Sequence, residues 1–204
     1  MGEHYYTSAP QATHDRRELA VAVAGERFRF VTDASVFSKC RLDPGTRLLL
    51  ENVAWPEAGL LLDLGCGWGA IGVVAARRAP GCRVYLVDVN ERAVELARAN
   101  LERNDLGNAV ALAGDGLAPV GGLRFELILT NPPIRAGKAV IYRLMEEAAA
   151  HLLPGGRFVA VVGKKQGADS YRTKIREVFG NATDLAKGGG YRVIQAVKEA
   201  VGES

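Results

Sequence analysis

The sequence predicts an α/β protein: a seven-stranded, largely parallel sheet with helices on both faces, preceded by a small β-hairpin and a short helix. Three observations support this. From Gly59 onward, short apolar runs alternate with stretches of helical period, the pattern of strand–helix–strand units in a parallel sheet. The run Leu61-Leu62-Asp63-Leu64 ends in Gly65-Cys66-Gly67-Trp68-Gly69 and passes into an apolar helical pattern through Val73, Val74 and Ala75. That is a buried strand, a tight turn and a helix N-terminus, with glycines that let the backbone turn sharply and approach a ligand. Several apolar runs also end in Asp, Asn or Gly, and a doubly wound sheet binds its ligands beyond the C-terminal strand ends.

In chain order, residues 1–20 are polar and mixed, with Tyr5-Tyr6 and Pro10, and read as an irregular arm. Leu19–Val23 and Arg27–Val31 flank Ala24-Gly25-Glu26, and the alternation of the second run makes this a β-hairpin. Thr32 to Lys39 is a loop. Asp43-Pro44-Gly45-Thr46 is a turn, with Thr46 the candidate N-cap of a helix through Leu48-Leu49-Leu50. Arg83–Val87 is the second strand of the main sheet and stops at Asp88. Asn90 caps the next helix, whose apolar face is Ala93, Val94, Leu96, Ala97 and Leu101, and Gly107 stops it. Ala109–Leu112 is the third strand, ending at Gly114-Asp115-Gly116, and Phe125–Thr130 the fourth. A helix over Val140–Leu153 turns at Pro154-Gly155-Gly156 into the fifth strand, Arg157–Val162. A helix over Ser170–Phe179 and strands over Ala182–Ala186 and Tyr191–Val197 complete the chain. The expected division is one domain over 1–204, with an N-terminal extension at 1–57 and the ligand-binding core at 58–200.

Composition narrows the class. A length of 204 residues suits one domain with a sizeable core, and 48% hydrophobic with 24% charged residues is ordinary for a globular chain rather than a disordered one. A net charge of +3 permits an anionic partner without demanding one. Cys40, Cys66 and Cys82 lack metal-type spacing and are odd in number, so reduced thiols, a cytoplasmic location and no metal site are expected. The first residues carry no basic-then-apolar signal, and no apolar run approaches the roughly 20 residues of a membrane span.

Two ligand classes fit the glycine loop. Gly67-x-Gly69-x-x-Gly72 matches the dinucleotide pattern, in which a pyrophosphate sits at the helix N-terminus. Asp63-x-Gly65-x-Gly67-x-Gly69 resembles the first motif of the class I S-adenosylmethionine methyltransferases, in which the acid faces a cationic amino-acid end. An acid beside a pyrophosphate would be repulsive, so Asp63 favours S-adenosylmethionine. Asp88 lies about 20 residues past the turn, the spacing of a carboxylate that accepts from ribose hydroxyls. Asp115-Gly116 is either an acceptor for an adenine amine or a simple turn.

Asn131-Pro132-Pro133-Ile134 is the other specific feature. Neither proline can donate a backbone hydrogen bond, and Asn131 before proline is pushed into an extended conformation. The product is a stiff site rich in acceptors, suited to a planar nitrogen carrying two hydrogens. Basic residues follow: Arg135, Lys138 and Arg143, then Lys164 and Lys165 after the fifth strand. They read either as phosphate contacts or as solvated surface. His4, His14 and His151 lie away from the motifs.

Together, Asp63-Leu64-Gly65-Cys66-Gly67-Trp68-Gly69 and Asn131-Pro132-Pro133 resemble the class I methyltransferases that modify planar NH₂ nitrogens. His4-Tyr5-Tyr6-Thr7, Val36-Phe37-Ser38-Lys39 and Leu42-Asp43-Pro44-Gly45-Thr46-Arg47-Leu48-Leu49-Leu50 are similar to the catalytic half of the small-subunit ribosomal RNA guanine-N2 methyltransferases, in the "methyltransferase small" family. The resemblance runs from about His4 to Val197. It implies a Rossmann-like fold and S-adenosylmethionine held by Asp63, Gly65, Gly67, Asp88 and Asp115, with Phe37, Cys66, Gly69, Val89 and Gly116 beside them. It implies a target nitrogen held by Asn131, Pro132 and Pro133, with Ile134, Arg135, Lys138, Lys164 and Lys165 toward the RNA. The partner is then ribosomal RNA, a small ribosomal subunit or an assembly intermediate, with no membrane role and the choice of monomer or homodimer open. Better-known members carry an aromatic where this chain has Ile134. Protein glutamine methylation and a non-catalytic RNA-binding module on the same fold are the alternatives.

Overall fold

β3 (Gly59–Leu64) is the axis of the fold in the computed structural model, which describes residues 16–33 and 41–199. It pairs in parallel with β4 (Cys82–Asp88) on one side and with β6 (Phe125–Thr130) on the other. The remaining main-sheet strands are β5 (Ala109–Ala113), β7 (Leu152–Gly163), β8 (Thr183–Gly188) and β9 (Tyr191–Val197). The order is β5-β4-β3-β6-β7-β9-β8, with β9 antiparallel to both its neighbours. The chain winds outward from β3 first through β4 and β5, then returns to β6 on the other side. That reversal opens a crevice beyond the C-terminal ends of β3 and β6.

Buried apolar residues fill both faces of the sheet. On one face α2 (Ala70–Arg78) and α3 (Glu91–Arg103) join α1 (Pro44–Asn52) and the hairpin over Leu61, Val84, Leu86, Leu127 and Val159. On the other, α4 (Lys138–His151) and α5 (Ala168–Phe179) pack over Leu62, Ile128, Phe158 and Ile194. Adjacent β3 residues Leu61 and Leu62 serve opposite cores because strand side chains alternate. α2 packs closely because Gly72 has no side chain: a Cβ there would overlap Leu86 of β4. Gly72→Ala should therefore destabilise the protein by about 1–3 kcal/mol through overpacking. A urea midpoint that falls at constant slope would show it, and an unchanged midpoint would mean that Leu86 moves aside.

The hairpin is β1 (Arg16–Val23) and β2 (Glu26–Asp33), turning at Ala24-Gly25. Its free edge is closed by α3 rather than by a strand. Arg29 N donates to Asn104 Oδ1 (3.1 Å) and Asn104 Nδ2 donates back to Arg29 O (2.7 Å). Asn100 repeats this exchange with Val31, at 2.6 and 2.9 Å. Two amide side chains one helical turn apart thus mimic a neighbouring strand and satisfy backbone groups that would otherwise be buried unpaired. The buried ion pair of Arg92 with Asp33 (2.8 Å) fastens the far end of β2 to the start of α3.

Two sequence expectations shift. The N-cap of α1 is Asp43, not Thr46: Pro44 takes the first helical position, and the Asp43 carboxylate accepts from Thr46 N at 2.8 Å. The expected turn at Pro154-Gly155-Gly156 lies inside β7, which begins at Leu152 directly after α4 and carries a register shift against β6. No helix among the described residues is long and apolar enough to cross a membrane.

Candidate active site

The C-terminal strand ends are joined by a continuous set of contacts. Gly65 N and Cys66 N both donate to Val87 O, at 2.8 and 3.0 Å, which bends the loop after β3 across the end of β4. Asp88 closes the loop from below: its Oδ2 accepts from Gly67 N (2.8 Å) and its Oδ1 from Asn90 N (2.9 Å). Gly67 stands at φ 54°, where side-chain-bearing residues are disfavoured, so the loop needs glycine to present that N–H. Gly69 caps α2 at φ 87° with α3 packed close against it. Gly114 N, after β5, donates to Asp88 O (3.0 Å), bringing the third strand end to the same place. Val89 is half-buried between Asp88 and Asn90.

Asp63 is buried beneath this loop at 1% exposure. Its Oδ2 accepts from Gly72 N in the first turn of α2 (2.7 Å), while Oδ1 is buried without a partner. Burial raises its pKa from 3.8 to about 7; the Gly72 hydrogen bond opposes the rise and the Asp88 charge adds to it. Asn90 Nδ2 is likewise buried and unpartnered. An orphaned carboxylate oxygen and an orphaned amide, under a glycine turn at a helix N-terminus, fit a ligand with a cationic group and hydroxyls. Cys66 is buried beside them, and burial followed by the Asp88 and Asp63 charges pushes its thiol well above the usual range, so it stays neutral.

Across the crevice, Thr130 Oγ1 at the end of β6 donates to Leu64 O at the end of β3 (2.7 Å). The Asn131-Pro132-Pro133 loop therefore meets the glycine loop, and a Cβ on Gly65 would lie 3.8 Å from Pro133 Cδ. Asn131 is half-buried, and its Nδ2 donates to Asp43 Oδ2 (3.1 Å) and to Thr46 Oγ1 (2.9 Å) at the start of α1. Its Oδ1 forms no hydrogen bond among the described residues and points away from that pair by the geometry of the amide.

The other expected residues divide. Pro132 is buried, and Ile134 packs against the α4/α5 core. Arg135 is exposed before α4 and Lys138 is exposed as its first residue, and Lys164 and Lys165 are exposed on the 3-10 turn after β7. Arg143 is not a free cation: it holds Asp115 (2.8 Å) and Glu147 (2.6 Å). Glu147 also accepts from Leu117 N (3.2 Å), so the Asp115-Gly116 loop is clamped onto α4 with the Asp115 side chain exposed. Phe37 and Cys40 lie outside the described residues, as do residues 1–15 of the expected arm and 34–39 of the expected loop; residues 16–20 of that arm belong to β1 and Thr32 and Asp33 to β2, paired across the hairpin. His151 caps the end of α4 at Glu147 O, away from the crevice. No cluster of metal ligands occurs among the described residues.

Asp43 and Thr46 belong to the site, although the sequence marked them only as a turn and a cap. The spacing Asp43-x-x-Thr46 signals a helix start, but nothing local signals that a loop 85 residues onward lies against it.

This strand order, with its glycine turn after β3 and acceptor loop after β6, defines a class I S-adenosylmethionine-dependent methyltransferase. Residues 27–195 match the methyltransferase small domain, and the chain belongs to that family. It is 40% identical over 200 residues to "Uncharacterized protein YbxB" of Bacillus subtilis, covering 97% of this chain and 100% of that one. It is 34% identical over 172 residues to ribosomal RNA large subunit methyltransferase G of Shewanella amazonensis, covering 81% of this chain and 44% of that one. The structure of the T. thermophilus 16S rRNA N2 G1207 methyltransferase in complex with AdoMet and guanosine superposes with a TM-score of 0.80 at 30% identity, over 94% of this chain and 52% of that one. The chain thus spans about half the length of these two ribosomal RNA methyltransferases.

Proposed function

We propose that this protein methylates the N2 amine of guanine in small-subunit ribosomal RNA. The observation that carries the reading is the Asn131 amide. Its NH₂ is committed to Asp43 and Thr46, so the end left for a substrate is the carbonyl oxygen, an acceptor. An acceptor beside a Pro-Pro turn suits an NH₂ on a planar carbon and does not suit a hydroxyl that must lose its proton to a base. Guanine N2 is such an amine, and the likeness to a methyltransferase whose structure is in complex with guanosine supports that base.

S-adenosylmethionine, when bound, supplies an electrophilic methyl on a sulfonium sulfur. The chain's own residues then have modest tasks. Asp63 and the glycine loop hold the cationic end, and Asp88, at the end of β4, is the carboxylate acceptor for ribose hydroxyls. Asn131 Oδ1 accepts a hydrogen from the target amine, which turns the nitrogen lone pair toward the methyl. That bond strengthens as positive charge grows on the nitrogen. No strong base is required before attack.

The substrate is tested with a tritium-labelled methyl donor offered to ribosomal subunits and to release factors. Label in small-subunit RNA, mapped by mass to N2-methylguanosine, is the expected result. Label in large-subunit RNA would move the target, and label in a protein glutamine would replace the reading. Lys164 and Lys165 are proposed phosphate contacts, because they are exposed on the turn that follows the C-terminal end of β7, the strand next to β6. Replacing both by Ala should reduce the slope of log affinity against log salt by about 0.7–0.9 per lost contact. An identical slope would leave them as solubilising surface.

A further inference from the structure

We propose that Asp43, Thr46 and Tyr191 are positioning residues, a rigid seat that fixes the Asn131 amide with its oxygen toward the acceptor nitrogen. The proposal rests on the reading of Asn131 as the amine acceptor and names what makes it one. A side-chain amide free to turn is equally a donor and an acceptor, and a donor facing an NH₂ would repel it. Here both amide hydrogens find acceptors, Asp43 Oδ2 at 3.1 Å and Thr46 Oγ1 at 2.9 Å. Turning the amide over would set its oxygen against the Asp43 carboxylate. A carboxylate has no hydrogen to offer, so the flipped state loses the bond to Asp43 and gains a repulsion there, while the Thr46 hydroxyl can serve either orientation; Asp43 is what sets the sense of the amide.

The seat is itself held rigidly. Asp43 is only 8% exposed and Thr46 5%, so water competes weakly for them. Asp43 Oδ2 also accepts from Thr46 N as the cap of α1, at 2.8 Å. Asp43 Oδ1 accepts from the Tyr191 hydroxyl at 3.2 Å. The Tyr191 ring reaches it because residue 45 is glycine: a Cβ on Gly45 would overlap the ring. Tyr191 begins β9, and the preceding Gly190 O accepts from Lys164 N (2.8 Å) in the turn after β7. The antiparallel strand, remote from the cofactor loops in sheet order, thus reaches the acceptor side of the crevice through one hydroxyl.

The test separates positioning from simple stabilisation. Asp43→Ser keeps a capping oxygen for α1 but is too short to reach Asn131 or Tyr191. It should lower the single-turnover methyl-transfer rate about ten- to hundredfold with S-adenosylmethionine affinity within about twofold, and Tyr191→Phe should show a smaller loss of the same kind. In an Asn131→Ala background Asp43→Ser should cost nothing further, since the group it seats is gone. Equal losses in both backgrounds would overturn the proposal. Thr46→Val, which leaves the Asp43 cap in place, repeats the cycle should Asp43→Ser fail to fold. A substrate-independent readout is the Asn131 side-chain amide signal by NMR, slow to exchange in the wild type and fast in Asp43→Ser; equal exchange in both would refute the contact. The cycle is read on whichever acceptor is labelled, so a protein acceptor would overturn the RNA reading and leave the seat standing or falling on its own.

Discussion

Asn131→Ala is expected to slow methyl transfer by about a hundred- to thousandfold while leaving S-adenosylmethionine affinity within about twofold. The separation follows from position. The groups suited to the cofactor stand at the ends of β3 and β4, where Asp63 and Asp88 brace the glycine loop. Asn131 follows β6 on the far side of the crevice and touches neither carboxylate. Its removal takes away an oriented acceptor and nothing that shapes the cofactor loop. The fold should survive, because Pro132 and Pro133 still stiffen the segment and Thr130 still bonds Leu64 O. Asp43 and Thr46 lose a donor, but the vacated half-buried space admits water to replace it. Single-turnover rates and calorimetric titration on one preparation decide the matter. A normal rate in Asn131→Ala would sink the amine-acceptor assignment, and a lost cofactor affinity would place Asn131 on the other ligand.

The Asp63 contribution to stability should fall as pH rises from about 4 to about 7, and Asp63→Asn should remove that component. The folded protein holds the Asp63 proton up to about pH 7, whereas the unfolded chain releases it near 3.8. Between those values the native state binds more protons than the unfolded state, so the free energy of unfolding declines with pH through that window. Below it both states are protonated and the full stability is present; above it both are ionised and the loss is complete. A rise of about three pKa units corresponds to a loss on the order of 4 kcal/mol. The cause is burial: one oxygen rests on Gly72 N, and the other has no donor to offset its desolvation. Asn can present its oxygen to Gly72 N and carries no charge. Chemical denaturation of both proteins from pH 4 to pH 8 tests this through their difference, which cancels every other titrating group. Parallel curves would show that Asp63 is ionised in the fold throughout.

An acid whose burial makes it costly to ionise is an unusual element to retain for stability alone. Opposite a cationic ligand the same carboxylate gains a partner, and the desolvation penalty is offset by charge pairing. The stability cost and the proposed binding role therefore share one origin, the unpartnered Oδ1.

What the sequence by itself determined were features whose cause is local. Apolar runs of strand length and stretches of helical period specify the seven main-sheet strands and the helices between them, because each period buries one face. The hairpin was legible for the same reason, from the alternation around Ala24-Gly25. Glycine at 65, 67 and 69 announced a turn that only glycine tolerates, and Asn131 before two prolines announced a stiff loop. Even the proposed Asp88 role has a local trace, in its spacing from the turn.

What only the tertiary structure decided was which of these local features meet. The Asp43 turn reads as an ordinary helix start, yet the sheet order carries α1 to Asn131, 88 residues away, and Tyr191 to Asp43, 148 residues away. Arg143 reads as part of a basic cluster until folding sets it between Asp115 and Glu147. Ile134 reads only as an aliphatic residue after the Pro-Pro pair, and folding brings it, partly buried, against the core under α4 and α5. Asp63 reads as an ionised acid until the layers around it exclude water and leave one oxygen unpaired. Hydrogen-bond partners and desolvation depend on groups far apart in the chain, and a one-dimensional pattern carries no record of that distance.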